Sequence, residues 1–237
     1  MLKVENSKDI EKYINTLSSE IVQANIYLNY WIKVKKEVKK DRLTFTTYNT
    51  FWGYVLRGYF LSGLTFLYKF YELSEKSTNL NILNLLKTLR LNKEYFGKEY
   101  FLNRNPRRSQ YKNLVDSRII PSIESINADI NKIKNNSKIR NLIRWRNNAL
   151  AHLSAKSIIQ DIDIFQDSPL SGVDLITLSE EGLELINKYS DLYNALTSTN
   201  KPIGFEDIEN LLYVLRKDRI LKELEVHKEI MSFRKSR

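Results

Sequence analysis

Apolar residues fall at Ile10, Ile14, Leu17, Ile21, Ala24, Leu28 and Trp31 in alternating four- and three-residue steps. The series runs on through Val34 and Val38 and stops near Asp41. This spacing predicts one long helix with a narrow apolar seam of coiled-coil or bundle type, capped by Ser7 or Asp9. Thr44 to Thr47 offers N-caps for a second helix, whose broad face carries Phe51, Trp52, Val55, Leu56, Tyr59, Phe60, Leu64, Leu67 and Tyr71. Gly58 and Gly63 lower its helix propensity and point to close approach of a neighbouring helix. A short amphipathic helix follows through Leu83, Leu86 and Leu89, and then an irregular stretch from Asn92 to Gln110. A third long helix is predicted from Ser109 to about Lys134, kinked or restarted at Pro121. Asn135 and Asn136 break the pattern, and Ser137 opens another helix. After a loop at 160–176, a fifth helix is expected to open at Leu178 and run through Leu196, with Glu180 and Glu181 in its first turn as the helix dipole prefers. Ser198 to Gly204 reads as a linker, and a last helix runs from Phe205 to about Phe233. The pattern is all-α: a bundle over 1–198 and a helical extension over 205–237.

Composition narrows this. At 237 residues the chain is long enough for a sizeable core. Seven glycines and four prolines argue against a turn-rich β fold. The most apolar region, Tyr48 to Tyr71, is interrupted by Arg57 and Lys69, so no uncharged run reaches the roughly 20 residues of a membrane span. The N-terminus has no signal-peptide pattern, and cysteine is absent, which fits a reducing cytoplasm. Net charge is +10 and unevenly spread: bases cluster at Lys33–Arg42, Arg104–Arg118 and Lys132–Arg146, whereas segment 155–200 is acidic. A basic surface is either the footprint of a nucleic-acid binder or an ordinary solvated face. The absence of any acid between Lys132 and Arg146 favours polyanion binding.

Candidate chemistry centres on the helix opening at Ser137. Its apolar stripe includes Ile139, Leu142, Ile143, Ala149, Leu150 and Leu153, but Arg146 occupies a slot in the middle of it. A guanidinium cannot be deprotonated and is costly to bury without a partner. Either its stem packs while its head escapes, or it serves a polar notch that a phosphate or a second subunit fills. His152 lies six residues on, Asn147 follows Arg146 directly, and Asn148 is one turn before the histidine. Trp145 can stack on a base or pack, and its pattern favours packing. In the irregular stretch, Arg104, Arg107 and Arg108 follow Tyr95-Phe96 and Tyr100-Phe101. Such interleaving can grip phosphates and stack on unpaired bases, or the aromatics pack and the arginines stay solvated. Asp161 and Asp163 have no third ligand nearby and read as loop acids, and His227 reads as a surface residue. No metal site can be assembled from these spacings, and no cofactor is implied.

Arg146-Asn147-x4-His152 resembles the Arg-x(4–6)-His signature of the HEPN superfamily. The longer string Arg-Asn-Asn-Ala-Leu-Ala-His is similar to the AbiU-type abortive-infection group within it, as are Tyr30-Trp31-Ile-Lys-Val34, Phe51-Trp52 and the stretch from Leu80 to Leu89. The resemblance covers roughly residues 5 to 200. It implies an antiparallel HEPN-like helical bundle that pairs as a homodimer around a shared cleft. It also implies a metal-independent endoribonuclease acting as a toxin or anti-phage effector. On that reading Arg146, Asn147 and His152 are catalytic, while Arg104, Arg107, Arg108, Arg144 and Asn148 bind RNA. The helix 1 seam and the stripe around Arg146 are the expected pairing surfaces. In some HEPN toxins a tyrosine two residues after the histidine is modified by a partner nucleotidyltransferase. That position is Ser154 here, so any antitoxin must act differently. The competing reading is a non-catalytic HEPN-like scaffold or RNA-binding module in a defence system.

Overall fold

The computed structural model describes residues 2–46, 48–74, 79–104, 112–147, 163–199 and 206–235, and among these the chain is helical with no strand. Its axis is α1 (Ser7–Lys40). The N-cap is Asn6, whose side chain accepts from the Lys8 N–H while Asp9 reaches back to the Asn6 N–H, a capping box. Ile10, Ile14, Leu17, Ile21, Ala24 and Leu28 are all buried. They are covered from two sides, by α3 (Asn49–Tyr71) and α10 (Gly172–Asn194). The seam is therefore filled within one chain and is not a spare surface for a second subunit.

Two glycines set how closely these helices approach. A Cβ on Gly63 of α3 would stand 2.7 Å from Leu28 Cγ, and one on Gly182 of α10 would stand 2.8 Å from Ile21 Cδ1 and 3.0 Å from Phe70 Cε1. Gly58 has nothing within 4 Å of the corresponding point, so only Gly63 fulfils the close approach expected of that pair. Polar contacts add register: buried Asn25 donates to Ser179 Oγ at 3.0 Å, and Tyr71 donates to the Leu178 carbonyl at 2.8 Å. α4 (Ile82–Leu91), α7 (Ile123–Asn135) and α8 (Ser137–Trp145) complete the main core with Leu83, Leu86, Ile126, Ile130, Ile139 and Leu142.

Several boundaries differ from the sequence expectation. Thr44 and Thr46 do not cap the second long helix, because Arg42–Thr46 forms its own short α2, and Tyr48 stands before α3 without a side-chain cap; Thr47 lies outside the described residues. The third long helix is not continuous. α6 (Lys112–Asp116) ends, Pro121 lies in non-helical chain, and Ser122 caps α7 afresh by accepting from the Ser125 N–H. The start of α10 lies six residues before Leu178, because Ser171 and Asp174 form a capping box. Asp174, and not Glu180 or Glu181, is therefore the first-turn acid. Within the expected 160–176 loop, Asp163 caps a short α9 (Ile164–Asp167).

A second, smaller core joins Val34, Phe45 and Trp52 to Leu212 of α11 (Asp207–Lys235), with Ile208 and Leu215 alongside. Arg216 fastens the same end of the molecule through Glu37 (2.8 Å) and Asp41 (2.9 Å). From Leu221 to Ser232 every residue of α11 is exposed, including Leu224 and Met231. The start of α11 is thus packed on the bundle, and its later turns stand clear of it.

Candidate active site

Asn136 opens α8 by accepting from the backbone N–H groups of Lys138 and Ile139. Ile139, Leu142 and Trp145 then face inward at helical spacing. One flank is pinned to the segment before α10. Trp145 Nε1 donates to the Ser168 carbonyl at 2.6 Å and its ring meets Phe165 edge-on at 4.9 Å. Asn141 donates to the Pro169 carbonyl at 3.1 Å, and Lys138 pairs with Asp174 at 2.6 Å. Trp145 is therefore a packing residue, as its pattern indicated.

At Arg146 the helix changes character. Its backbone N–H reaches the carbonyls of both Ile143 and Leu142, and Arg146 and Asn147 enter a wider π-type turn. Such turns recur at functional sites. The side chain is half-buried, just past the end of α8 at Trp145. Its guanidinium crosses to α3 and lies over the ring of Tyr68, with Cζ 4.6 Å from the centroid, while Nη1 donates to Asn147 Oδ1 at 2.9 Å. Cation–π contact of this kind attracts the guanidinium to the ring face, and the planar fork of an arginine suits oxyanion recognition.

Tyr68 is itself held. Its hydroxyl donates to Glu72 Oε1 at 3.3 Å, and Asn79 Nδ2 donates to Glu72 Oε2 at 3.1 Å. Burial pushes the Tyr68 phenol above its ordinary value. Glu72 adds to the shift, and Arg146 opposes it. These groups line a cleft of about 450 Å³ together with Thr16, Glu20 and Lys69. Glu20 Oε2 is buried in its wall without a hydrogen bond. Lys69 Nζ is 3.9 Å from it, near enough for ion pairing but too far for a hydrogen bond. The cleft thus joins one guanidinium and one ammonium to two carboxylates. The sequence pattern did not single out Tyr68, Glu72, Asn79 or Glu20. The i,i+4 spacing of Tyr68 and Glu72 carries no signal that a helix 78 residues away will meet them.

The other expected site residues divide. Asn148, His152, Arg107 and Arg108 lie outside the described residues. Arg144 is exposed, with Nη1 3.5 Å from Ser168 Oγ. Arg104 is engaged within the fold. It ends α5 (Lys98–Arg104), and its guanidinium donates to the carbonyls of Tyr95 (2.9 Å) and Tyr193 (2.8 Å). It reaches Asn194 Oδ1 at 3.3 Å as well and lies over the Tyr193 ring. The basic run from Lys132 is also partly neutralised. Lys132 stands 3.8 Å from Glu181, and Lys138 is held by Asp174, so acids of α10 face bases of α7 and α8.

Among the described residues no group of three or more His, Asp or Glu side chains is placed to hold a metal ion, and no helix is long and apolar enough to cross a membrane. No curated protein and no solved structure matches the chain. The family model that describes AbiU2, of the HEPN class, matches residues 7–213, from the first turn of α1 into α11 and across the whole candidate site. By that match, the chain belongs to the AbiU2 family of HEPN proteins.

Proposed function

We propose that the protein is a metal-independent endoribonuclease that acts as a toxin or anti-phage effector. The observation that carries this reading is Arg146. It is held by Tyr68 and Asn147 at the mouth of a polar cleft, in the same motif that contains His152. The nucleophile is the substrate's own 2′-hydroxyl, already beside the scissile phosphate, so its attack has little ordering cost. Attack forms the bond from the 2′-oxygen to phosphorus and breaks the bond to the 5′-oxygen. His152 takes the proton of the first or protonates the second, a role that the general acid–base chemistry of imidazole suits near neutral pH. Arg146 offsets the charge building on the phosphoryl oxygens, and Asn147 orients Arg146. Arg107, Arg108, Arg144 and Asn148 are the proposed RNA contacts.

The proposed assembly is a homodimer with a shared cleft. It draws on the exposed apolar positions of α11 and of the start of α3, where Phe51 and Tyr54 are 60% and 71% exposed. Light scattering at micromolar concentration should give about twice the 28.0 kDa chain mass. A fully active monomer excludes the shared cleft.

The chemistry is tested on defined RNA. Cleavage should persist in EDTA and leave a 2′,3′-cyclic phosphate or its opened 3′-phosphate, with a 5′-hydroxyl on the other fragment. A 2′-deoxy nucleotide on the 5′ side of the cut should block it. Arg146→Ala and His152→Ala should each abolish cleavage with helicity preserved. Cutting at the deoxy position, or activity that stops with chelator and returns with magnesium, overturns the mechanism.

A further inference from the structure

Arg146 carries a long side chain with many rotamers in the free state. A group that must meet a phosphate in one orientation gains little from charge alone, since an unrestrained guanidinium samples many poses before reaching the productive one. Just past the end of α8, its local restraint among the described residues is the hydrogen bond to the neighbouring Asn147, which is itself exposed. The second restraint comes from another helix. Tyr68 is 9% exposed, near the end of α3, with its ring face turned to the guanidinium at 4.6 Å. Its far end is tied to Glu72, and Glu72 to Asn79 just before α4.

We infer that Tyr68 is a positioning residue for Arg146: its ring, braced by Glu72 and Asn79, fixes the plane of the guanidinium so that the in-plane donors face the cleft. The inference rests on the endoribonuclease reading for its effect on rate, but the contact itself is independent of it. Tyr68 does not act as a base. Burial and Glu72 hold the phenol in its neutral form at physiological pH, which keeps the π-face available to the cation and the hydroxyl donating to Glu72. Glu72 sits at the hydroxyl end of the ring as an acceptor for both Tyr68 and Asn79, and so braces the clamp.

The arrangement separates two roles of Tyr68 that substitutions can isolate. Tyr68→Phe keeps the ring and loses the hydroxyl. Tyr68→Leu keeps most of the buried volume and loses the π-face. On a defined RNA, Tyr68→Leu should lower kcat by about 10- to 100-fold with KM changed by less than about threefold, since uniform binding is untouched. Tyr68→Phe should retain turnover to within about threefold, the rescue that a ring contact requires. Arg146→Ala should be inactive, and Tyr68→Leu in that background should add nothing further.

A second readout does not depend on turnover. In ¹⁵N NMR the Arg146 Nε–H should give an ordered signal, shifted by the tyrosine ring, in the wild type and in Tyr68→Phe. In Tyr68→Leu it should become mobile and unshifted. If Tyr68→Leu leaves both the arginine signal and kcat unchanged while Arg146→Ala abolishes cleavage, the clamp is wrong and the endoribonuclease reading stands. If the arginine signal responds as expected but Arg146→Ala cleaves normally, the clamp stands and the functional reading falls.

Discussion

The guanidinium of Arg104 lies over the ring of Tyr193, 3.7 Å from Cζ to the centroid, while its Nη2 donates to the carbonyl of that same residue at 2.8 Å. One side chain thereby closes the C-terminal end of α10, where Ala195 takes the left-handed conformation with φ 53°. The same guanidinium joins α10 to the turn before α5 through Tyr95. Burial lowers its affinity for the proton without discharging it. Charge-assisted bonds of this kind are the stronger ones, and cutting them leaves two partly buried carbonyls without this donor.

Replacing Arg104 with Met should therefore destabilise the fold by about 1–3 kcal/mol, read as a lower urea midpoint at unchanged slope. The salt dependence of RNA binding should be the same as in the wild type. Neutralising Arg107 and Arg108 should instead flatten that dependence and leave stability within about 0.5 kcal/mol. A stable Arg104→Met protein with a flattened salt response would return Arg104 to the RNA surface.

Gly58 and Gly63 read alike in the sequence, five residues apart on one helix, but their surroundings are opposite. Gly63→Ala drives a methyl against Leu28 Cγ in a filled core and should cost about 1–3 kcal/mol. Gly58→Ala adds a methyl in open space, removes backbone freedom from the unfolded chain and should stabilise by about 0.4–1 kcal/mol. Paired thermal melts check this. Equal effects at the two positions would mean that α1 and α3 do not approach at Gly63.

Acid should loosen the flank that holds the motif helix. The hydrogen bond from Lys138, joined by bonds from Ser171, pulls the Asp174 carboxyl down from its ordinary 3.8 to about 2. A carboxyl depressed in the folded state contributes stability that is present above its unfolded pKa. That contribution is lost as pH falls through the folded one, so the window runs from about pH 4 down to about pH 2. Asp174→Asn should remove that part of the acid transition and reduce stability at pH 7, with little difference between the two proteins at pH 2. Parallel curves across the whole range would show that the Lys138 pairing contributes nothing. Only part of this carboxylate is buried, so the effect is smaller than the shift alone implies.

Long, strongly periodic elements are legible: the seam of α1 and most of the aromatic face of α3 follow from spacing alone, because a narrow stripe must be covered, whereas Phe51, read as part of that face, stands exposed at the start of α3. The start of α10 was missed although Ser171 and Asp174 carry a capping signature, because Gly172 and nearby Pro169 read more strongly as loop. Arg104, Arg107 and Arg108 cannot be told apart by composition, since what turns Arg104 inward is a pair of carbonyls, one of them 89 residues away. At the site, Arg146 and Asn147 were legible from their motif. Tyr68 was not, because its role depends on where α3 places a ring relative to the end of α8.

The placement of α1 between α3 and α10 bears on the timing of synthesis. Asn25 meets Ser179 across 154 residues, and Ile21 packs against Gly182. At about 5–20 residues per second, the ribosome needs on the order of ten to thirty seconds after α1 emerges before its second wall exists. During that interval the apolar seam is half-covered at best, and α8, made before α10, lacks Asp174 to hold Lys138. A chain assembled in this order cannot close its main core until α10 has been made.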